Sequence, residues 1–172
     1  AKDNAIDLGG SSNRFKDLYL SSGVYLGGTG AANLLDSYET GNWTPALVCG
    51  TSGTLVVTTT RDTLSYTKIG NTVHVQGMLS IITATSPLGS LRLTGLPFAT
   101  AGSGEFSGRS AGSIYTAGLT GSVNVLQLSS TEGTTELAIT EFDGATTLDD
   151  VANHIQGGNL TSLTIGFTYQ TT

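Results

Sequence analysis

The sequence predicts an all-β fold: a jelly-roll-like antiparallel β-sandwich knob with one short helix, preceded by an intertwined β-rich neck. Three observations predict it. Gly (24), Ser (18) and Thr (28) make up 70 of the 172 residues, a composition that suits strands joined by tight turns. Apolar and polar residues alternate in short runs, repeated at about 10–15-residue intervals, as in sandwiches and jelly rolls. Hydrophobic residues are 38% and charged residues only 12%. That excludes a disordered tail, which would be highly charged, and a bundle rich in Ala, Glu, Lys and Leu.

The first 40 residues differ from the rest. Ala5-Ile6-Asp7-Leu8-Gly9-Gly10 is echoed by Gly23-Val24-Tyr25-Leu26-Gly27-Gly28. Between them lies Arg14-Phe15-Lys16-Asp17-Leu18-Tyr19-Leu20. Each segment is too short to bury its own apolar residues, and two repeats do not make a solenoid. Such a piece gains stability when identical chains wrap around one another and share a core. Residues 1–42 are therefore expected to be a neck that folds only in an oligomer, and residues 43–172 a knob. Ala31, Leu34, Leu35 and Tyr38 have the spacing of one helical face, with Gly41 placed to end the helix. A short helix over 31–39, shared between copies, or an irregular connector, is the expectation there. The opening Ala1-Lys2-Asp3 reads as the start of a fragment of a longer chain.

Strands are expected from Leu55, Leu64, Thr72, Leu91, Ser113, Val123, Glu136 and Leu160 onward. The clearest is 72–81: Val73, Val75, Leu79 and Ile81 alternate with His74, Gln76, Met78 and Ser80. One face is core and the other meets solvent or a neighbour. Gly70-Asn71 is the turn that feeds it. Met78 and Ile82, opposite the Val73/Val75 face, call for a partner on the second side. Gly95-Leu96-Pro97-Phe98 forms a corner, and 99–113 is a long polar loop. A helix is expected after Thr147, with Asp150 completing a capping-box-like start, Leu148, Val151 and Ile155 on one face, and Gly157-Gly158 as the stop.

Charge narrows the partners. The net charge is −6 and the isoelectric point is near 4.6, with no cluster of Lys or Arg. Nucleic acid, whose phosphates require a basic face, is excluded. No apolar run reaches the about 18 residues of a membrane-spanning helix. The one cysteine, Cys49, leaves no internal disulfide, and its apolar neighbours Leu47 and Val48 predict a buried, inert thiol.

The string LGGSSNRFKDLYLSSGVYLGG at 8–28 resembles a segment of tail-fibre proteins of tailed bacteriophages. The resemblance continues through 34–45 and 66–77, Gly95-Leu96-Pro97-Phe98 and Gly166-Phe167-Thr168-Tyr169. It implies the distal end of a fibre in the virion: a homotrimer continuing from an upstream shaft, with a knob that binds a bacterial surface polysaccharide or protein. A purely structural clamp and a polysaccharide depolymerase are the alternatives.

Candidate receptor contacts are Tyr115, Trp43, His74, Arg109, Glu141 and Asp143. Tyr115 follows the polar 99–113 loop and is the best placed aromatic; Trp43, before Pro45, suits either sugar stacking or packing. The loops 84–90, 99–113, 129–135 and 141–147 are the expected contact regions. Glu132, Glu136, Glu141, Asp143, Asp149 and Asp150 are close in sequence, but their spacing cannot show the paired carboxylates of a glycosidase. No nucleophile elbow is present. His74 and His154 lack metal-ligand spacing, so no metal is assigned. No cofactor is expected: a Ca²⁺ site would want several oxygens converging from one loop, and no EF-hand loop pattern exists.

Overall fold

The computed structural model describes all residues except 1–6, 103, 106, 107, 121–124, 143–146, 149 and 156–160. The chain divides into two compact units, Ala1–Asp36 and Ser37–Thr172.

The first unit holds two short strands, β1 (Val24–Tyr25) and β2 (Leu34–Leu35), paired antiparallel. A 3-10 turn over Ala31–Asn33 joins them. Asn33 closes this hairpin twice: its carbonyl accepts from the Leu26 N–H at 2.9 Å, and its side-chain amide donates to the Leu26 carbonyl at 3.0 Å. A bridge between Gly10 and Asn13 makes a second small loop. Little is buried: Leu8, Phe15, Leu18, Tyr19, Leu20, Tyr25 and Leu26 are each more than half exposed.

The second unit is all β. Its strands are β3 (Tyr38–Trp43), β4 (Ala46–Cys49), β5 (Ser52–Val57), β6 (Leu64–Ile69), β7 (Thr72–Leu88), β8 (Leu91–Thr94), β9 (Ala111–Ala117), β10 (Val125–Ser130), β11 (Glu136–Phe142), β12 (Thr147–Leu148) and β13 (Thr161–Gln170). They pair antiparallel in the order β3-β6-β7-β13-β9-β10-β11-β8-β4, with β5 against β7 and β12 against β11. The pairing passes through β9. Its residues 114–117 bind β13, and its residues 111–113 bind β10. The sandwich is thus one curled sheet with its inner faces around one core.

Alternation decides which side chains enter that core. On β13, Leu163, Ile165, Phe167 and Tyr169 are buried, while Thr164, Gly166, Thr168 and Gln170 are exposed. Opposite them, Val73, Val75, Leu79 and Ile81 of β7 are at most 1% exposed. The other half contributes Leu91, Leu93, Leu128, Leu137 and Ile139 to the same cluster. The β6–β7 hairpin turns at Gly70-Asn71, where Gly70 has φ 56°. A positive φ at the first central position is the requirement of a type II′ turn, which glycine meets without steric cost.

Both expected helices are corrected. Tyr38–Trp43 is a strand with six register pairs to β6, and the helical spacing of 31–38 survives only as a 3-10 turn. Two helical turns do not repay their nucleation, whereas a strand gains a full ladder. Gly41 is not a helix stop. It lies within β3 against the Tyr66 ring, and a Cβ there would sit 2.7 Å from the Tyr66 hydroxyl oxygen. The second helix shrinks to a 3-10 turn, Val151–His154. Thr147–Leu148 pair with Glu141 and Phe142 as strand β12 instead, and Asp150 caps nothing with its side chain. Val151 and Ile155 of the expected apolar face are buried, and Ala152 with them. The expected Gly157-Gly158 stop lies outside the described residues.

The expected 84–90 loop is strand as far as Leu88, paired with β5. The rim at 99–101 and 131–134 is tied by Thr100. Its hydroxyl lies 2.6 Å from the Thr131 carbonyl and 3.2 Å from that of Thr134, and its N–H donates to the Thr134 carbonyl at 2.9 Å.

Candidate functional site

The candidate site is the outer face of the β3-β6-β7-β13-β9 half of the sheet. Its rows follow from register. Thr40, Thr67, His74 and Thr168 stand side by side across four strands. The next row is Asn42, Ser65, Gln76 and Gly166, and beyond it Met78, Thr164 and Tyr115. On the other side lie Tyr38, Ile69, Thr72 and Gln170. None of these positions carries Lys, Arg, Asp or Glu. The charged residues of β3 and β6, Glu39 and Lys68, have the opposite parity and face the other way. Glu39 accepts a hydrogen bond from the Tyr66 hydroxyl, which holds that phenol's proton and raises its pKa. The Lys68 ammonium donates to the Ser37 hydroxyl at 2.5 Å and sits 5.6 Å from the centre of the Phe98 ring.

Side chains on this face are tied to one another across strands. His74 Nδ1 lies 2.9 Å from the Thr168 hydroxyl. The Gln170 amide donates to the Thr72 hydroxyl at 3.0 Å. Tyr115 is 70% exposed and is paired in register with Thr164 on the neighbouring strand. The surface is hydroxyl- and amide-rich and is carried by five paired strands. Such a surface offers donors, acceptors and two exposed aromatic residues, Tyr115 and Tyr38, but no long-range electrostatic pull.

The other sequence candidates fall elsewhere. Trp43 is 8% exposed and packs in the core. Arg109 is exposed just ahead of β9. Asp143 lies outside the described residues. Glu141 is on the inner face of β11, 2% exposed, with Oε2 3.2 Å from His154 Nε2. Sequence reasoning brings His74 and Tyr115 forward one at a time; the structure places them on one face. What it misses are the Thr, Asn and Gln rows between them. The signal is present in the parity of Glu39 and Lys68, but reading it requires β3 to be seen as a strand. Cys49 is half-buried, and burial pushes its thiol pKa up. A shallow recess of about 260 Å³ opens beside Arg92, Thr131, Thr134, Glu136 and Ala138. There the Arg92 and Glu136 side chains, both about half exposed, come within 3.7 Å.

No protein-family model and no curated protein matches the chain. Among solved structures, the fold is similar to part of Dettilon tailspike protein (gp208), with a TM-score of 0.63 and 20% identity. The similarity covers 77% of this chain and 24% of that one, so the chain spans about a quarter of the tailspike's length. The all-β curled fold of this chain is therefore one that a tailspike protein also contains.

Proposed function

We propose that the chain is the receptor-binding end of a bacteriophage tail fibre or tailspike, acting in the virion as a homotrimer that attaches to a bacterial surface glycan or protein. One observation carries this reading: the broad uncharged face of Thr, Ser, Asn and Gln that presents Tyr115 and His74. Sugars are bound by such surfaces through hydroxyl hydrogen bonds and stacking of a C–H face on an aromatic ring. The fold shared with a tailspike domain supports the setting.

The first unit supports the assembly. A lone chain that exposes Tyr19 at 90%, Leu8 at 74% and Phe15 at 66% has an apolar surface that two further copies would cover. The number three comes from the fibre resemblance. Three copies per fibre let individually weak sites act by avidity.

The test is binding of fluorescent full-length protein to a panel of bacterial cells, with soluble protein competing against phage adsorption. The wild-type protein should bind and compete. Tyr115→Ala should weaken binding about tenfold or more while leaving the melting temperature unchanged. An intact oligomer that binds no cell would make the chain a fibre-end clamp. Release of reducing sugar ends from host polysaccharide would make it a depolymerase.

A further inference from the structure

A cluster of three ligating side chains lies away from the outer face, where the 3-10 turn Val151–His154 packs on β11. Glu141, Asp150 and His154 bring their ligand atoms within 4.8 Å of one another. They come from two connected pieces: β11, and the segment that follows β12.

His154 is fixed at both its backbone and its ring. Its carbonyl accepts from the Thr120 N–H and hydroxyl, each at 2.9 Å. Its Nδ1 lies 2.9 Å from the Thr120 carbonyl oxygen. A carbonyl only accepts, so Nδ1 carries the proton, and Nε2 is the atom turned to Glu141. This is the arrangement that orients a metal-ligating imidazole, with one nitrogen donating to a backbone carbonyl and the other presented as a lone pair.

The contact between Nε2 and Glu141 Oε2, at 3.2 Å, is close enough for an ion pair but is not aligned as an N–H···O hydrogen bond. Next to it, Asp150 Oδ1 is shut off from solvent with no hydrogen-bond partner among the described residues. Glu141 is almost fully buried, whereas Asp150 and His154 are partly exposed. A buried carboxylate oxygen without a hydrogen bond, such as Asp150 Oδ1, calls for a partner that a metal ion can supply.

The geometry points to a site for a divalent transition-metal cation, Zn²⁺ or a close analogue, held by Glu141, Asp150 and His154 with water in the fourth position. One nitrogen and two oxygen ligands suit zinc, whereas calcium takes oxygen ligands only. Around tetrahedral zinc, ligand atoms sit about 3.5 Å apart, so side-chain movements of roughly 1 Å bring the three protein ligands to that spacing and leave the fourth position to water. The ion would staple the 3-10 turn to β11 and, through Thr120, to the connection after β9. The Asn153 side-chain amide oxygen, accepting from the Gly89 N–H at 2.9 Å, already fixes the turn's other side.

The test uses the full chain, stripped with EDTA and dialysed, then measured for metal content and thermal unfolding with added Zn²⁺. After Zn²⁺ is added back and the excess dialysed away, one zinc per chain should be retained. The melting temperature should rise by roughly 5 °C once free zinc exceeds its Kd about a hundredfold, and calcium should not reproduce the rise. His154→Gln should abolish zinc retention. No retained zinc and no shift in wild-type protein would overturn the proposal and leave the cluster a plain His–carboxylate pair. Stabilisation by calcium alone would overturn it as well.

Discussion

Residues 7–36 and 37–172 are built from similar amino acids and reach opposite ends. In the first unit Phe15, Leu18, Tyr19 and Leu20 stand in solvent. In the second, Leu64, Leu79, Ile139 and Leu163 are at most 1% exposed. The difference is length of pairing. A two-residue ladder such as β1–β2 has no second layer to cover, whereas the ten-residue β13 pairs with β7 along its whole length and with β9 over four residues. A fold that keeps its core within one chain needs strands long enough to make two facing layers. A segment that does not have them cannot cover its apolar side chains within one chain, which is the ground for the proposed oligomer.

The comparison breaks most visibly if the first unit is made polar. Phe15→Ser, Leu18→Ser and Tyr19→Ser together should convert the oligomer to monomer, read by light scattering, while the unfolding transition of the second unit stays cooperative. The second unit should respond in the opposite way to a core change. Leu163→Ala should leave assembly intact but cost about 2–5 kcal/mol in denaturant unfolding. Gly41→Val should cost about 1–3 kcal/mol, because its side chain would displace the Tyr66 ring from Glu39.

A smaller effect is expected at Tyr169. It is 1% exposed and its hydroxyl donates to the Phe98 carbonyl at 3.0 Å. Tyr169→Phe should cost about 1 kcal/mol at neutral pH. Burial pushes the Tyr169 pKa up to about 12 from 10.0. The folded state therefore keeps a proton that the unfolded state gives up first. The stability this contributes is complete below pH 10 and is lost as pH rises through about 12. Comparing wild type with Tyr169→Phe from pH 9 upward should show their difference shrinking.

The second unit is more legible in the sequence than the first because its alternation is long. Val73 to Ile81, closed by Gly70-Asn71, specifies a hairpin from sequence alone. The β3 strand is hidden because Ala31, Leu34, Leu35 and Tyr38 imitate a helical face, while the polar Glu39, Thr40 and Asn42 give no apolar alternation. Its role appears only once β6 supplies the ladder. The outer face can be seen at His74 and Tyr115 but not assembled, since strands β7 and β9 meet only through β13, the last strand of the chain. The approach of Glu141 to His154 is likewise beyond reach. It depends on β12 turning back onto β11, where the sequence pattern predicts a helix.

The central claim is that chains like this one complete each other through the first unit. The most direct measurement is the mass of the full-length protein in solution by light scattering. The account predicts three chains of 17.6 kDa each. A single 17.6 kDa particle with an intact, folded chain would contradict it.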